Sequence, residues 1–425
     1  MFKLLDQFNS AITILLIAAY LYQVFYTLYA TVLRLREKRA ARRSRQDAPL
    51  HRFAALICAR NEENVIAELI ASLKAQDYPS DLMDIYVIAD NCTDGTAAAA
   101  RAAGATVYER FDTEAVGKGY ALDELFKTIA AERPEKRYDA YLVFDADNIV
   151  DAQFVRAMNE TFSKGYDVIT SYRNSKNFGA SWVSACYSIW FLREARFLNY
   201  PRMNLHTSCA ISGTGFLVSS RVIEENGGWP YFLLTEDIEF SMSCATRGIT
   251  IGYCDDAILY DEQPVSFGQS WRQRLRWSKG FYQVNARYAL SLLRGCVKGP
   301  HRLSCYDMLM TIAPCMILTV IALAVNLFCL LTFRLHPRYI ALRILREALH
   351  YIGTALLNTY LVMFLYGLLT ILMEWRRIPA KPLKRLQYLP LFPIFIFSYI
   401  PISLAALFMR VEWKPIRHTS VGSAS

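Results

Sequence analysis

Long uncharged runs stand towards the two ends of this chain of 425 residues, and a shorter pattern fills the stretch between them. Ala11 to Leu33, Tyr351 to Met373 and Leu386 to Met409 carry no charged side chain, and Tyr306 to Phe333 carries only Asp307. A helix of about 20 apolar residues crosses a hydrocarbon core, so four spanning segments are expected. Between them, apolar runs bounded by turn residues alternate with stretches of helical periodicity. FAALIC (Phe53 to Cys58), IYVIAD (Ile85 to Asp90), ATVYE, AYLVFDAD (Ala140 to Asp147) and DVITSY read as strands. EENVIAELIASLKAQ, TDGTAAAARAAG, GKGYALDELFKTIA and DAQFVRAMNETF read as the helices between them. This alternation predicts an α/β domain with a mostly parallel sheet and covering helices. The expected organisation is a spanning helix over 1–33, the α/β domain over 34–305, a membrane region over 306–410 and a tail over 411–425.

Charge sharpens this picture. The net charge is +9, and the run from Arg34 to Arg45 alone holds seven Lys/Arg against one Glu. That block directly follows the first apolar run, so anionic headgroups are its expected partner and nucleic acid is not. It also places the α/β domain in the cytoplasm of a multi-pass cell-membrane protein. The ten cysteines show no C-x-x-C spacing, which argues against a zinc ribbon or a disulfide scaffold.

Parallel sheets bind ligands at the carboxyl ends of their strands. Arg60 to Glu62, Asp90 to Asp94 and Asp145 to Asn148 all follow predicted strands. Asp145 and Asp147, two apart in extended chain, face the same way and can share a cation or divide a cation and a ribose. Asp90 can accept from a nucleobase N–H or a ribose hydroxyl, while Thr93 or Asp94 caps the next helix. Lys118 lies between two glycines at a helix start, where an anion is favoured. Thr235 is a plausible cap for the helix that begins Glu236-Asp237. Gln273, Arg276 and Trp277 lie on a basic amphipathic helix, and Trp182 to Tyr200 reads as an interfacial helix.

Taken in order, A-R-N-E-E, Asp90, D-x-D, T-E-D and Q-x-x-R-W resemble the motifs of membrane-bound family 2 glycosyltransferases. These include cellulose, chitin, hyaluronan and poly-N-acetylglucosamine synthases and ceramide glucosyltransferase. The likeness covers roughly Phe53 to Phe281. Cys58 stands where many members have Pro, and Ala89 where many have the first Asp of a pair. The resemblance implies a GT-A fold, a UDP-sugar donor and Mg²⁺ or Mn²⁺. Arg60, Glu62, Asp90, Lys118, Asp145 and Arg276 would contact the donor, and Asp147 the metal. Asp237, with Glu236 beside it, would be the general base. Gln273, Trp277 and the loop Gly213-Thr214-Gly215 would hold the acceptor, with His206 a further candidate.

The leading expectation is inverting extension of a β-linked polysaccharide, and the alternative is transfer of one sugar to a lipid. Four spanning candidates are few for a polymer channel in one subunit, and no partner subunit is assigned. A dead scaffold or a transporter would need a missing acid or intramembrane charges, and neither is seen. Pro390, Pro393 and Pro401 make a re-entrant or interfacial path plausible for the last apolar run. That path would return Glu412 to His418 to the cytoplasm, where the tail would contribute to the active site.

Overall fold

The computed structural model describes residues 2–37, 48–313, 315–332 and 338–411. The first helix is α1 (Phe2–Glu37). The α/β part then runs β1 (Phe53–Ala59), α2 (Ile66–Lys74), β2 (Met83–Asp90), α3 (Thr96–Ala102), β3 (Thr106–Arg110), α4 (Lys118–Glu132), β4 (Ala140–Asp145), β5 (Ile149–Val150) and α5 (Phe154–Phe162). It continues with β6 (Val168–Ser175), α6 (Trp182–Glu194), α7 (Tyr200–Asn204), β7 (Phe216–Ser219), α8 (Ser220–Asn226), α9 (Glu236–Arg247), β8 (Ile251–Asp261) and α10 (Phe267–Lys298). Six helices follow: α11 (Arg302–Ile312), α12 (Cys315–Thr332), α13 (Arg338–Met373), α14 (Pro382–Gln387), α15 (Phe392–Phe397) and α16 (Tyr399–Phe408).

The strands form one sheet in the order β3-β2-β1-β4-β7-β6-β8-β5. The β3-β2-β1-β4 half is wholly parallel, and β7 runs against β4 and β6. Its strands read as continuous apolar runs because both faces are covered. Phe53, Ala55 and Ile57 face Leu69, Ile70 and Met158 on one side. Ala54 and Leu56 join Leu122, Leu125 and Phe126 on the other. Register does the rest. Cys58 pairs with Asp145 and Ala59 with Ala89, so the polar residues that end β1, β2 and β4 emerge side by side.

Two expectations change in the apolar parts. Tyr306 to Phe333 is not one span: α11 ends at Ile312 and α12 begins at Cys315, and the sequence has a proline, with no N–H to donate, at 314. The α11 portion packs on α10 and α9 instead. There Asp307 is buried against Arg202, with Nη2 to Oδ1 at 2.6 Å and Nε to Oδ2 at 2.8 Å, and Tyr22 and Tyr26 of α1 donate to the same carboxylate. Among the described residues three helices are long and apolar enough to cross a membrane, Lys3–Arg36, Arg338–Met373 and Pro382–Phe408, and a shorter apolar helix, Leu318–Thr332, lies within α12. The stretch Trp182 to Tyr200 is not an interfacial surface helix either. Its α6 is buried almost throughout, between β6 and the covering α13 and α15.

The long helices are tied to the sheet at one place. Asp255 of β8 meets Arg34 of α1 at 3.9 Å, Arg377 just after α13 at 3.0 Å, and Arg196 at 3.1 Å. Burial works against its ionisation, yet Arg196, then Arg377 and Arg34, hold its carboxyl well below the usual range. Glu374 takes the other edge of Arg196 and the Tyr172 hydroxyl. At the opposite end, Asn9 of α1 and Asn326 of α12 exchange hydrogen bonds of 3.1 and 2.8 Å. So α1 and α13 run in the same direction and α12 runs against them. The last apolar segment is interrupted at Leu389–Leu391 and Ser398 and lies along α10. Arg274 donates to the Phe395 carbonyl (3.0 Å) and the Ser398 hydroxyl (2.7 Å), and Tyr282 to the Ser403 carbonyl (3.1 Å). The residues of the tail beyond 411, including Glu412 to His418, lie outside the described residues.

Candidate active site

The carboxyl ends of β1, β2 and β4 open into a cleft of about 730 Å³. Every site residue expected from the sequence lines it except Thr214, Gly215 and His206. At the end of β2, Asp90 is 4% exposed, and burial raises its carboxyl even though Arg110 donates to Oδ1 at 2.7 Å. Arg110 also holds Asp112 and the Ala115 carbonyl, which fixes the β3–α4 loop beside Asp90. Asn61 and Asn91 take left-handed backbone conformations at the two strand ends, tolerable for asparagine. Asp94 accepts the Thr96 N–H at 3.0 Å, but the cap position of α3 falls on Gly95 and not on Thr93 or Asp94.

Lys118, first residue of α4, points at the D-x-D. It donates to Asp145 Oδ1 at 2.5 Å and to the Gly213 carbonyl at 2.7 Å, so its charge is committed to a carboxylate rather than standing alone at a helix start. Asp147 is buried and accepts the backbone N–H of Glu262 at 3.1 Å. Gly119 lets α4 approach the loop before α9, since a Cβ there would strike the Tyr231 carbonyl.

The T-E-D begins α9 opposite this pair. Both Glu236 and Asp237 are held above the ordinary carboxylate range, chiefly by burial, and for Glu236 next by the charge of Asp237. Lys118 and Arg276 pull each of them the other way, as do the Ile238 amide and Arg173 at Asp237. Thr235 precedes them but makes no side-chain cap, because its side chain is turned against Gly280 of α10. That contact brings the Q-x-x-R-W helix to the acids. Arg276 donates to the Leu234 carbonyl at 3.1 Å. Gln273 keeps its buried Oε1 without a hydrogen bond among the described residues, an orphan acceptor beside the cleft. Trp277 meets Tyr187 and Phe191 edge-on at 5.8 and 6.3 Å while lining the cavity.

The Ser212-to-Gly215 loop divides its work differently from the expectation. Gly213 does line the cleft, and a Cβ there would lie 3.8 Å from Asp237 Oδ2. Thr214 is buried and serves the D-x-D, accepting the Asp145 N–H at 2.8 Å and donating to Asn148 Oδ1 at 2.5 Å. Gly215, at φ +64°, packs beneath against Leu259 and Ser171. His206 is exposed in a turn outside the cleft. Arg173 has no place in the sequence motifs yet lines the site. It pairs with Asp261 through Nε at 2.5 Å and donates to the Ser212 carbonyl at 2.7 Å. It is a polar residue near the carboxyl end of β6, and the rule that found Asp90 and Asp145 reaches it too.

The donor set suits a divalent ion. Among the described residues no group of three or more His, Cys, Asp or Glu forms a closed cage. Asp145 and Asp147 would supply such an ion with the one or two carboxylates that Mg²⁺ usually takes from protein.

A mostly parallel sheet with acids at its strand ends, a helix-borne acid pair and a facing cationic helix define a glycosyltransferase of the GT-A type. Residues 51–280 match glycosyltransferase-like family 2, and the chain belongs to that family. Similar relatives are a probable glycosyltransferase, YdaM, of Bacillus subtilis (26% identical over 56% of this chain and 57% of that one) and a beta-monoglucosyldiacylglycerol synthase of Synechocystis (24%, 55% and 49%). A poly-beta-1,6-N-acetyl-D-glucosamine synthase of Staphylococcus aureus is 25% identical over 56% of this chain and 57% of its own. The chain thus spans about half the length of the curated relatives it matches. The mannosyltransferase PcManGT of Pyrobaculum calidifontis, solved with GDP-Man and Mn²⁺, shares the fold. Its TM-score is 0.56 at 18% identity, over 87% of this chain and 98% of that one.

Proposed function

We propose that the protein transfers a single sugar from a UDP-sugar to a hydroxyl of a membrane lipid, inverting the anomeric carbon. The observation that carries this reading is the continuity of the cleft. The cavity that holds Asp147 and Asp237 runs past Trp277 to Met310, Ile312, Met363 and Ile396 of α11, α13 and α15. An apolar acceptor tail has a wall there, and its hydroxyl has the acids. The diacylglycerol-glucosylating relative supports the same class. Extension of a polysaccharide, the first expectation, has the poly-N-acetylglucosamine synthase in its favour.

In this reading Asp90 and Glu62 receive the uracil and ribose. Asp237 takes the proton of the acceptor hydroxyl as its oxygen attacks the anomeric carbon, and the bond from that carbon to the diphosphate breaks. UDP departs from the opposite face, so an α-linked donor gives a β-linked product. Arg276 faces the charge that develops on the leaving group, and Lys118 holds Asp145 in place. Mg²⁺ or Mn²⁺ held by Asp147 and Asp145 would neutralise the diphosphate. Calorimetric titration of UDP tests the donor end. Binding should need a divalent ion and fall by at least about tenfold in Asp147→Ala, the scale of a lost charge-assisted contact. UDP affinity unchanged by chelator and by the substitution would contradict it.

The same reading sets a topology. With α1 and α13 ending at Asp255 and α12 running against them, these three cross the bilayer and the last segment lies along its cytoplasmic face. The 18 residues of α12 give about 27 Å of helix, close to a hydrocarbon core of about 30 Å. Arg410 then stays on the side of the catalytic domain, which removes one of the two violations of the positive-inside rule that four crossings would create. In intact cells an impermeant thiol reagent should label His336→Cys above the background of the unaltered chain and spare Ser420→Cys. Labelling of Ser420→Cys from outside would overturn the arrangement.

A further inference from the structure

Three of the basic side chains that line the cleft face carboxylates: Lys118 meets Asp145, Arg173 meets Asp261 and Arg202 meets Asp307. Arg193 does not. It stands one residue before the end of α6, 9% exposed, at the junction of the catalytic domain with α1 and α13. Its Nη2 donates to Gln23 Oε1 of α1 at 3.1 Å, and its guanidinium lies 4.9 Å from the Trp190 ring centre and 5.0 Å from that of Tyr366 on α13. Its Nε is buried and has no hydrogen-bond partner, and no ion pair reaches the side chain among the described residues. Glu194, next in sequence, is turned to the Ser212 hydroxyl. Two aromatic faces stabilise a cation but offer its N–H groups no acceptor. A buried guanidinium without an acid is costly unless something anionic meets it.

The place of this charge says what that anion is. Arg193, Trp190 and Gln23 line the same cavity as Asp237, at the end bounded by membrane helices, with Met363 beside them. Guanidinium geometry matches phosphate, which it binds through paired N–H groups. We propose that Arg193 forms an anion subsite for a phosphate carried by the lipid acceptor, whose chains leave between α1 and α13. The proposal rests on the reading of this cavity as the acceptor path and adds that the acceptor is a phospholipid-type anion rather than a neutral lipid.

Equilibrium binding of dioleoyl phosphatidic acid, dioleoylglycerol and inorganic phosphate to the full chain in neutral detergent tests it. Phosphatidic acid should bind at least about tenfold more tightly than dioleoylglycerol, as a charge-assisted pair contributes. Arg193→Gln should abolish that difference, Arg193→Lys should keep most of it, and inorganic phosphate should not displace the lipid. Equal affinity for the two lipids on the unaltered chain overturns the proposal whether or not a variant folds. So does an unchanged preference in Arg193→Gln, and displacement by inorganic phosphate would mean a soluble anion instead. Sugar transfer by the unaltered chain to a neutral lipid as fast as to a phosphate-bearing one would end this inference while leaving the proposed function standing.

Discussion

Asp237→Asn should lower turnover by about 10²-fold to 10⁴-fold, the usual cost of losing a general base, with UDP affinity close to that of the unaltered chain. The amide keeps the size of the carboxylate at the start of α9 and removes only its capacity to take a proton. Donor affinity is expected to survive because, in the proposed function, the uracil and the metal-bound diphosphate are held from the ends of β2 and β4, by Asp90, Asp145 and Asp147, and not from α9. The pH profile carries the same signature. Burial raises both Glu236 and Asp237, and the base must be ionised to work, so kcat/KM should fall as pH drops through an acid limb above the ordinary carboxylate value of about 4. That limb belongs to the adjacent pair rather than to either residue. An Asp237→Asn enzyme that keeps substantial turnover would move the base elsewhere.

Asp307→Ala should destabilise the protein by about 3–5 kcal/mol, because it leaves Arg202 charged and buried. Both side chains are 1% exposed, and two α1 tyrosines donate to the lost carboxylate. The change therefore loosens the first membrane helix from the domain as well as the core around α11. Replacing both partners, Arg202→Met with Asp307→Leu, should recover most of the loss, since an apolar pair leaves no unmatched charge. Thermal unfolding in detergent of the single and double variants measures this. A single variant as stable as the original would show that the pair is dispensable.

The parallel half of the sheet was legible because its strands are buried on both faces and so read as unbroken apolar runs. Motif residues at their ends followed directly. β6 was legible too, as DVITSY, but β5, β7 and β8 were not, for identifiable reasons. β7 is four residues long, and β5 is two. In β8 the polar Cys254-Asp255-Asp256 interrupts the run at the level where its register with β6 shifts between Ser171 and Tyr172. That interruption is the tether: it presents Asp255 to Arg34, Arg196 and Arg377, residues far apart in sequence. Arg110 and Arg193 were missed for a related reason. Each gains its meaning from a partner or a vacancy that only the packed helices create. Thr214 erred in the other direction, since a hydroxyl in a glycine loop reads as a ligand group until its hydrogen bonds to Asp145 and Asn148 are seen.

Inverting transfer to an acceptor that arrives from the membrane side is tested most directly by product analysis. The full chain, reconstituted in bilayers of phosphatidylglycerol and dioleoylglycerol, would be supplied in turn with radiolabelled UDP-glucose, UDP-N-acetylglucosamine and UDP-galactose. One of them is expected to give a lipid-extractable product with a single β-linked sugar and one UDP released per sugar moved. A water-soluble polymer, or a product that retains the α configuration, would contradict it.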